Sequence, residues 1–485
     1  MSRDPTERLA ARVGRHKPGS IPTVLRSAWP IVVGLVIALA LQAAVAPMIG
    51  PFYAKLLLDI GIAIVLAASL NIVNGFAGQF SIGHAGFMMV GGYAAALITY
   101  YGSIKLGWVA PDAFGVDVHG GFLGSGDALF IFACVFGGVV AALAGLVVGL
   151  PSLRLRGDYL AIVTLGFGEI VRVLVQQTTE VLDPKAANEL SMIEAAKHIG
   201  GPLGFTGTPT YVSPTPWIED AAGRQTGHAG IFFAFMFVTI VLIVAYRLKA
   251  SSKGRALLAV RENEIAAEAM GVDTARVKVV AFVTAAFFAG IGGALFAHEV
   301  GVTLNPKELG FQKSIDLVIM VVLGGMGSIT GVVLAATVLT ILPELFREFA
   351  EYRMPVYALA LIIVMIVRPQ GLLGIKEVWE LQPRKKYLLG TLIASAIGLV
   401  LWLVLGWLHL GIGWADSLFT AFSLIGALTL IIGLAGALLF GVLLLWTTVF
   451  GEPAARQFSS AVAGADLAHA TDSPTTSATP PKDNV

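Results

Sequence analysis

Long apolar runs separated by short polar segments dominate the chain. Several runs reach about 20 residues, the length that crosses the roughly 30 Å hydrocarbon core of a membrane as a helix. The pattern predicts an all-α, polytopic membrane protein with about 10–12 transmembrane segments, some of them broken or re-entrant. The predicted spans are 28–49, 53–73, 79–99, 128–150, 158–177, 229–246, 277–297, 315–326, 328–343, 355–367, 388–410 and 418–448.

Two of these predicted spans are too short to cross a membrane alone. Residues 315–326 would extend only about 18 Å as a helix, because each residue adds about 1.5 Å. Glycines separate them at Gly324–Ser328, in the sequence GGMGS. Broken backbone at membrane depth is tolerated only inside protein or beside a water-filled cavity. The pattern therefore indicates either a re-entrant hairpin or two spans, and does not choose between them.

A second interruption lies in the stretch Leu70–Tyr93, LNIVNGFAGQFSIGHAGFMMVGGY. Its run NGFAGQFSIG is similar to LGGMGSITG at 323–331, and paired broken segments in two halves point to the central path of a transporter. The small residues Ala77, Ser81 and Ala85 would form a ladder that lets two helices approach closely. Polar side chains here either bond neighbouring helices or line a polar route. The candidates for such a route are Asn71, Asn74, Gln79, Ser81, His84, Glu169 and Ser328.

Glu169 stands near the middle of a predicted span, where an unpaired carboxylate is costly. Arg172, three residues on, lies on the same helix face and could neutralise it. Structural pairing and a role in the pathway or its gate both stay open for Glu169. Glu299 and Asn305 are predicted to be loop residues near the outer face.

Composition supports the membrane class and narrows the chemistry. The chain has 485 residues, of which 56% are hydrophobic and 13% charged, and its mean hydropathy is +0.82. Soluble chains average about 25% charged residues, so this chain cannot cover a water-facing surface of its own. The single cysteine, Cys134, excludes a disulfide framework and a Cys-rich metal site. No catalytic residue, metal site or cofactor is predicted, and no nucleic acid is expected as a partner.

Basic residues set the predicted orientation, because Lys and Arg resist translocation. The basic N-terminal segment 1–27 is placed in the cytoplasm. Residues 451–485, rich in Ala, Ser, Thr and Pro, are predicted to be a disordered tail, also cytoplasmic. Alternation of the spans places the basic segments 151–157, 247–276 and 368–387 inside and the segments 100–127 and 178–228 outside.

The inside segment 251–276 is predicted to contain a short amphipathic helix. Asn263 can cap it, Glu264 is favourable in its first turn, and Gly271 can end it in the left-handed conformation. One face would hold Ile265, Ala266, Ala269 and Met270, and another Glu264 and Glu268. The helix is either a connector or a rod that docks on an ATPase subunit. The chain has no phosphate loop of the GxxxxGKS/T type, so energy would come from another chain or from a gradient.

Five motifs, in order along the chain, resemble the permease subunits of bacterial branched-chain amino acid ABC importers, of the LivM type. The resemblance covers roughly residues 50–375 and implies a permease domain at 28–375. Residues 376–450 depart from the family and are expected to be additional transmembrane segments. The motifs are LNIVNGFAGQFSIGHAGFMMVGGYAAAL from Leu70, LRLRGDYLAIVTLGFGEIVRVL (Leu153–Leu174), GRALLAVRENEIAAEAMGVDTARVKVVAFVTAAFFAGIGGALFA (Gly254–Ala297), VVLGGMGSITGVVLAA (Val321–Ala336) and IVRPQGLLG (Ile366–Gly374).

The resemblance implies translocation of branched-chain or other hydrophobic amino acids across a bacterial inner membrane. The expected partners are a second homologous permease, two ATP-binding subunits that hydrolyse ATP, and a periplasmic or surface substrate-binding protein. Membrane lipid would surround the assembly. The run Glu268–Gly271 resembles the coupling motif of such permeases, and the expected coupling residues are Arg261, Glu264, Ile265, Glu268, Ala269 and Gly271. The alternatives are a urea or short-chain amide permease of the same superfamily, a secondary transporter or channel that uses no ATP, and a structural scaffold.

Overall fold

Helices form nearly all of the described structure. The computed structural model describes residues 23–107, 123–152, 158–208, 230–299 and 303–345, and the single residues 358, 362, 366 and 371. Within these ranges, six helices are long and apolar enough to cross a membrane. The β-structure found there is an isolated antiparallel bridge between Phe205 and Leu304. The predicted all-α, polytopic membrane class is confirmed.

The described α-helices are named here in chain order. They are α1 (Thr23–Ala40), α2 (Ala46–Asn71), α3 (His84–Lys105), α4 (Ser125–Ser152), α5 (Asp158–Gln176), α6 (Pro184–Glu189), α7 (Met192–Ala195), α8 (Gly230–Ala250), α9 (Ser252–Glu262), α10 (Glu264–Ala269), α11 (Thr274–Ala297), α12 (Phe311–Gly324) and α13 (Ile329–Leu345). A π-helical turn follows α1 at Leu41–Val45 and another follows α2 at Ile72–Phe76.

Most predicted spans correspond to a helix, with two differences. α12 has 14 residues, about 21 Å, so the expected short helix before the glycine break is confirmed. α9 was not foreseen, although its buried residues Gly254, Leu257 and Val260 recur every three positions. The predicted spans 388–410 and 418–448, most of 355–367, and the tail 451–485 lie outside the described residues.

The predicted span 79–99 starts too early. α3 begins at His84, and residues 77–83 are not helical. Gly78 has a φ of +66°, and the backbone N–H of Ser81 donates to Asn74 Oδ1 at 3.1 Å instead of to a helix carbonyl. Because Ala77 and Ser81 are not on a helix, the predicted small-residue ladder is wrong.

Close helix packing is instead carried by glycines on α3, α4 and α11. A Cβ on Gly92 of α3 would lie 2.9 Å from the carbonyl oxygen of Gly293 on α11. A Cβ on Gly137 of α4 would lie 2.5 Å from the carbonyl oxygen of Gly91 on α3. The three backbones therefore touch, which is how membrane helices with small residues gain van der Waals contact.

The helices α2 and α8 run parallel to each other. A Cβ on Gly61 of α2 would lie 3.1 Å from Ala234 of α8. Fifteen residues further along both helices, Lys249 Nζ lies 5.9 Å from the centre of the Phe76 ring. This agrees with the alternation of spans, which gives the two helices the same direction.

A buried carboxylate follows α11. Glu299 is 4% exposed, and its Oε1 lies 3.2 Å from Lys55 Nζ on α2. Burial, together with a hydrogen bond shared with the Asp59 carboxyl, raises the pKa of Glu299 to about 8. Sequence analysis placed this residue in a loop, and it could not show that the side chain turns inward to meet α2.

Candidate functional site: two helix breaks that meet

The first break, residues 72–83, reverses the chain inside the helix bundle. After the π-turn, residues 77–83 run back, so that His84 Nε2 lies 2.8 Å from Ser69 Oγ on α2. Asn74 holds the reversal, because its Oδ1 accepts from Ser81 N at 3.1 Å and its Nδ2 donates to Ser81 O at 3.4 Å. Side-chain bonds thus replace the helical bonds that this backbone lacks.

The second break, Gly325–Ser328, separates α12 from α13. Gly325 and Gly327 have φ values of +98° and +89°, a region that side-chain-bearing residues rarely adopt. Ser328 Oγ accepts from the backbone N–H of Gly331 at 3.1 Å and so caps the start of α13. The predicted interruption at GGMGS is confirmed.

The two breaks contact each other directly. Asn71 Oδ1 accepts from Gly327 N at 2.9 Å, and Asn71 Nδ2 donates to Ser328 O at 3.2 Å. A Cβ on Gly75 would lie 2.5 Å from Gly327 N, so only glycine fits there. One asparagine side chain therefore joins segments that lie more than 250 residues apart in sequence.

Two cations bind the carbonyl groups that the breaks leave unpaired. Arg261 Nη1 donates to Gly75 O at 2.8 Å and has a longer, 3.5 Å contact with Met326 O. Lys249 Nζ donates to Gly327 O at 2.9 Å. A cation beside these carbonyl oxygens is stabilising, because each oxygen accepts a charge-assisted hydrogen bond. Sequence analysis missed Lys249, although basic residues next to two broken helices were a usable signal.

The predicted route residues at the breaks are buried. Asn71 and Ser328 bond across the two breaks, Asn74 and Ser81 bond each other, and His84 pairs with α2. Their exposed fractions lie between 0% and 7%. Gln79 differs, because its Oε1 is buried without a hydrogen-bond partner in the described structure. These contacts are intramolecular bonding, and a role for these residues in lining a route stays a prediction.

Glu169 lies apart from the breaks, on α5. Its Oε2 accepts from Arg172 Nε at 2.7 Å, which confirms the predicted pairing. The two side chains are 35% and 28% exposed. A Cβ on Gly310, just before α12, would lie 3.3 Å from Arg172 Cδ and 3.6 Å from Glu169 Oε1. The ion pair therefore stands in a groove between α5 and the start of α12, open on one side.

The predicted short helix in segment 251–276 is present as α10. Asn263 Oδ1 accepts from Ala266 N at 3.0 Å, and Gly271 has a φ of +83°, so the predicted cap and stop are confirmed. Glu264 does not face outward with Glu268: its Oε1 lies 2.6 Å from Lys278 Nζ on α11. Ala267 is buried, while Glu268 and Ala269 are exposed. The large apolar side chains Ile265 and Met270 are 67% and 85% exposed.

The described residues bring no three His, Cys, Asp or Glu side chains together as a metal site. The exposed helix α10 lies between α9 and α11 in the chain. Arg261, on α9, contacts a backbone carbonyl group of each break.

The sequence matches the family model described as "Branched-chain amino acid transport system / permease component" over residues 52–368. The chain belongs to this permease family. The permease is 37% identical over 317 residues to "High-affinity branched-chain amino acid transport system permease protein LivM" of Escherichia coli (strain K12), covering 64% of this chain and 67% of that protein. No solved structure matches the chain.

Two more distant relatives are matched by the permease over nearly their whole length. The permease is 23% identical over 355 residues to a "Probable branched-chain amino acid transport permease protein LivM" of Methanocaldococcus jannaschii, covering 68% of this chain and 96% of the relative. It is also 27% identical over 324 residues to the Escherichia coli (strain K12) permease protein LivH, covering 65% and 92%. The permease is therefore similar to both LivM and LivH proteins.

All five motifs of the permease meet at the two breaks. The first supplies Asn71 and the second supplies Thr164, whose Oγ1 accepts from Ile82 N at 3.2 Å. The third supplies Arg261 and the fourth supplies the second break itself. The fifth supplies Gly371, where a Cβ would lie 2.5 Å from Gly325 Cα. The five motifs are far apart in sequence, but each contributes a residue or a segment to the contacts at the two breaks.

Proposed function

We propose that the chain is the translocation subunit of an ABC importer that carries branched-chain amino acids inward, driven by ATP hydrolysis on separate subunits. Family membership supports the class of transport, since LivM and LivH proteins are named as permeases for these substrates. The observation that carries the ATP-driven part is α10, an exposed apolar rod with a fixed position.

The rod is stable only because the permease holds it. A six-residue helix is unstable alone in water, yet here Asn263 caps it and Lys278 pairs with Glu264 beneath it. The rigid helix presents Ile265 and Met270 outward, in a polar segment of the chain. Exposed large apolar side chains held in this way fit a hydrophobic groove on a partner protein. In the orientation that the basic segments predict, that partner is a cytoplasmic ATP-binding subunit.

A second homologous permease would cover α5. The exposed face of α4 is apolar, as at Phe132, Val139 and Leu143, and suits lipid. α5 is also largely uncovered, but it carries the partly exposed pair of Glu169 and Arg172 near its middle. Charged side chains at the bilayer centre face protein or water, not lipid, because exposure to lipid costs about 3 kcal/mol or more.

Photo-crosslinking tests this partner in the assembled importer. A benzophenone side chain replacing Ile170, which is 61% exposed on α5, should crosslink to the second permease. The same probe replacing Leu143, which is 58% exposed on α4, should crosslink to lipid. Lipid adducts at both positions would contradict the assignment of this face.

With the same predicted orientation, both termini would lie in the cytoplasm of a bacterial cell and the segment 178–228 outside its inner membrane. Within that segment, α6 and α7 form a cap that is joined to the residues before α12 by the Phe205–Leu304 bridge. A substrate-binding protein would deliver amino acids to this outer side.

Reconstitution of the chain with its ATP-binding subunits, second permease and binding protein tests the function. Uptake of leucine, isoleucine or valine should require ATP. Met270→Arg should release the ATP-binding subunits during purification, whereas Ile193→Arg, a change of an equally exposed apolar residue on α7, should retain them. Uptake of urea in place of branched-chain amino acids would overturn the substrate class, and uptake without ATP would overturn the driving force.

A further inference from the structure

One residue joins the exposed docking helix to the helix that contacts the breaks. Asn263 lies between α9 and α10 in an extended conformation, with φ −158° and ψ 108°. Its backbone N–H donates to Ala259 O at 3.0 Å, and its backbone O accepts from Ala267 N at 3.0 Å. Because both helices are bonded to this single residue, a displacement of α10 moves α9 with it.

Arg261 lies two residues before Asn263, and its side chain points away from the exposed face of α10. Its side chain is 24% exposed and its guanidinium bonds Gly75 of the first break and approaches Met326 of the second. Two glycines shape the slot that receives it. A Cβ on Gly78 would lie 2.7 Å from Arg261 Cγ, and one on Gly327 would lie 2.6 Å from Arg261 Nη1.

We propose that Arg261 is the positioning residue through which movement of the docking helix α10 reaches both breaks of the permease. The inference rests on the proposed function, in which α10 is moved by the ATP-binding subunits. Sequence analysis gave Arg261 as one of the expected coupling residues, and its geometry places it at the breaks and not on the exposed face of α10. It acts on backbone carbonyls and touches no substrate.

The chemistry of the guanidinium suits this role. It is charged at every physiological pH and offers several donors in a fixed plane, so one side chain can hold two carbonyl oxygens from different segments. Both breaks contain glycines in the left-handed region, whose backbone can change conformation at little steric cost. A pull on Arg261 therefore acts on backbone that contains these glycines in both breaks.

The coupling ratio, substrate transported per ATP hydrolysed, measures this role in the reconstituted importer. We expect Arg261→Ala to lower the ratio by at least about fivefold, the lower end of typical coupling between sites. Arg261→Lys keeps the charge but offers a single ammonium group, and it should fall between Arg261→Ala and the native chain. Arg255→Ala is the matched control, because Arg255 lies exposed on the same helix α9.

Gly327→Ala approaches the same guanidinium from the opposite side and serves if Arg261→Ala fails to assemble. It should lower the coupling ratio at least as much as Arg261→Ala, because it also strains a residue with a φ of +89° that bonds Asn71 and Lys249. A native ratio in Arg261→Ala or in Gly327→Ala, or an equal loss in Arg255→Ala, would overturn the proposal. If native uptake itself needs no ATP, the proposed function fails first, and that result is distinguishable from an unchanged ratio.

Discussion

Replacing Asn71 should open the contact between the two breaks. Asn71 is 2% exposed, and Ser328, which accepts its amide proton, is 0% exposed. Asn71→Ala leaves the buried N–H of Gly327 without its partner, while the C=O of Ser328 keeps a longer bond from Val332 N at 3.4 Å. Each such group costs about 1–3 kcal/mol, whereas bonds between intact membrane helices average only about 0.6 kcal/mol. The larger figure applies because the Gly327 N–H lies outside any helix, so the variant should lose roughly 1–3 kcal/mol.

Asn71→Asp keeps an acceptor for Gly327 N–H but loses the donor to Ser328 O and buries a carboxyl group against that carbonyl oxygen. It should therefore lose at least as much free energy of unfolding as Asn71→Ala. Asn305→Ala is the control, because Asn305 makes one partly exposed local bond, from Lys307 N at 2.9 Å. Unfolding of the purified chain by SDS in mixed micelles measures the differences. The reasoning fails if Asn71→Ala unfolds at the same SDS concentration as Asn305→Ala.

Two further predictions concern backbone contact and pH. Gly75→Ala should reduce the amount of folded chain and its transport, because the added Cβ meets the second break, whereas Gly166→Ala, with nothing within 4 Å of its Cβ, should be neutral in the same assays. Burial raises the pKa of Glu299 to about 8, so its contribution to stability is fully present below its ordinary pKa of 4.5 and is lost as pH rises through 8. The midpoint of unfolding should therefore decrease as pH rises from 6 to 9. Glu299→Gln should weaken this dependence of the midpoint on pH while leaving the neighbouring Lys55, Asp59 and Glu344 in place. An unchanged dependence on pH would refute the assignment.

The sequence was sufficient for features that depend on local composition. Apolar runs located the spanning helices, because a helix in lipid must bury its own backbone bonds within one segment. The glycines at 324–327 marked a break, and Asn263 and Gly271 marked both ends of α10, because caps and left-handed stops act within one turn.

Features that depend on contacts between distant segments could not be read from the sequence. Residues 79–83 have the apolar content of a helix start, and only the bonds between Asn74 and Ser81 show that the chain turns back there. Arg261 has the pattern of a surface residue on a basic segment, yet it reaches a carbonyl 186 positions away in the chain. The predicted repeat between the two breaks remains untested, and their direct contact was not foreseen.

The burial of the polar residues at the breaks favours a role in holding the two breaks together over a role in lining a solute route. A solute route needs polar groups with free bonding capacity, but the side-chain amide oxygen and nitrogen of Asn71 and of Asn74 all bond the protein backbone. Gln79 Oε1, in the same break, has no partner in the described structure. Partial exposure and charge occur together elsewhere, at Glu169 and Arg172 on the uncovered side of α5. Such a permease would change conformation at the two glycine-containing breaks and pass its substrate along the partly exposed face of α5. Glu169→Gln should then alter substrate uptake at an unchanged coupling ratio, and Arg261→Ala should alter the ratio itself.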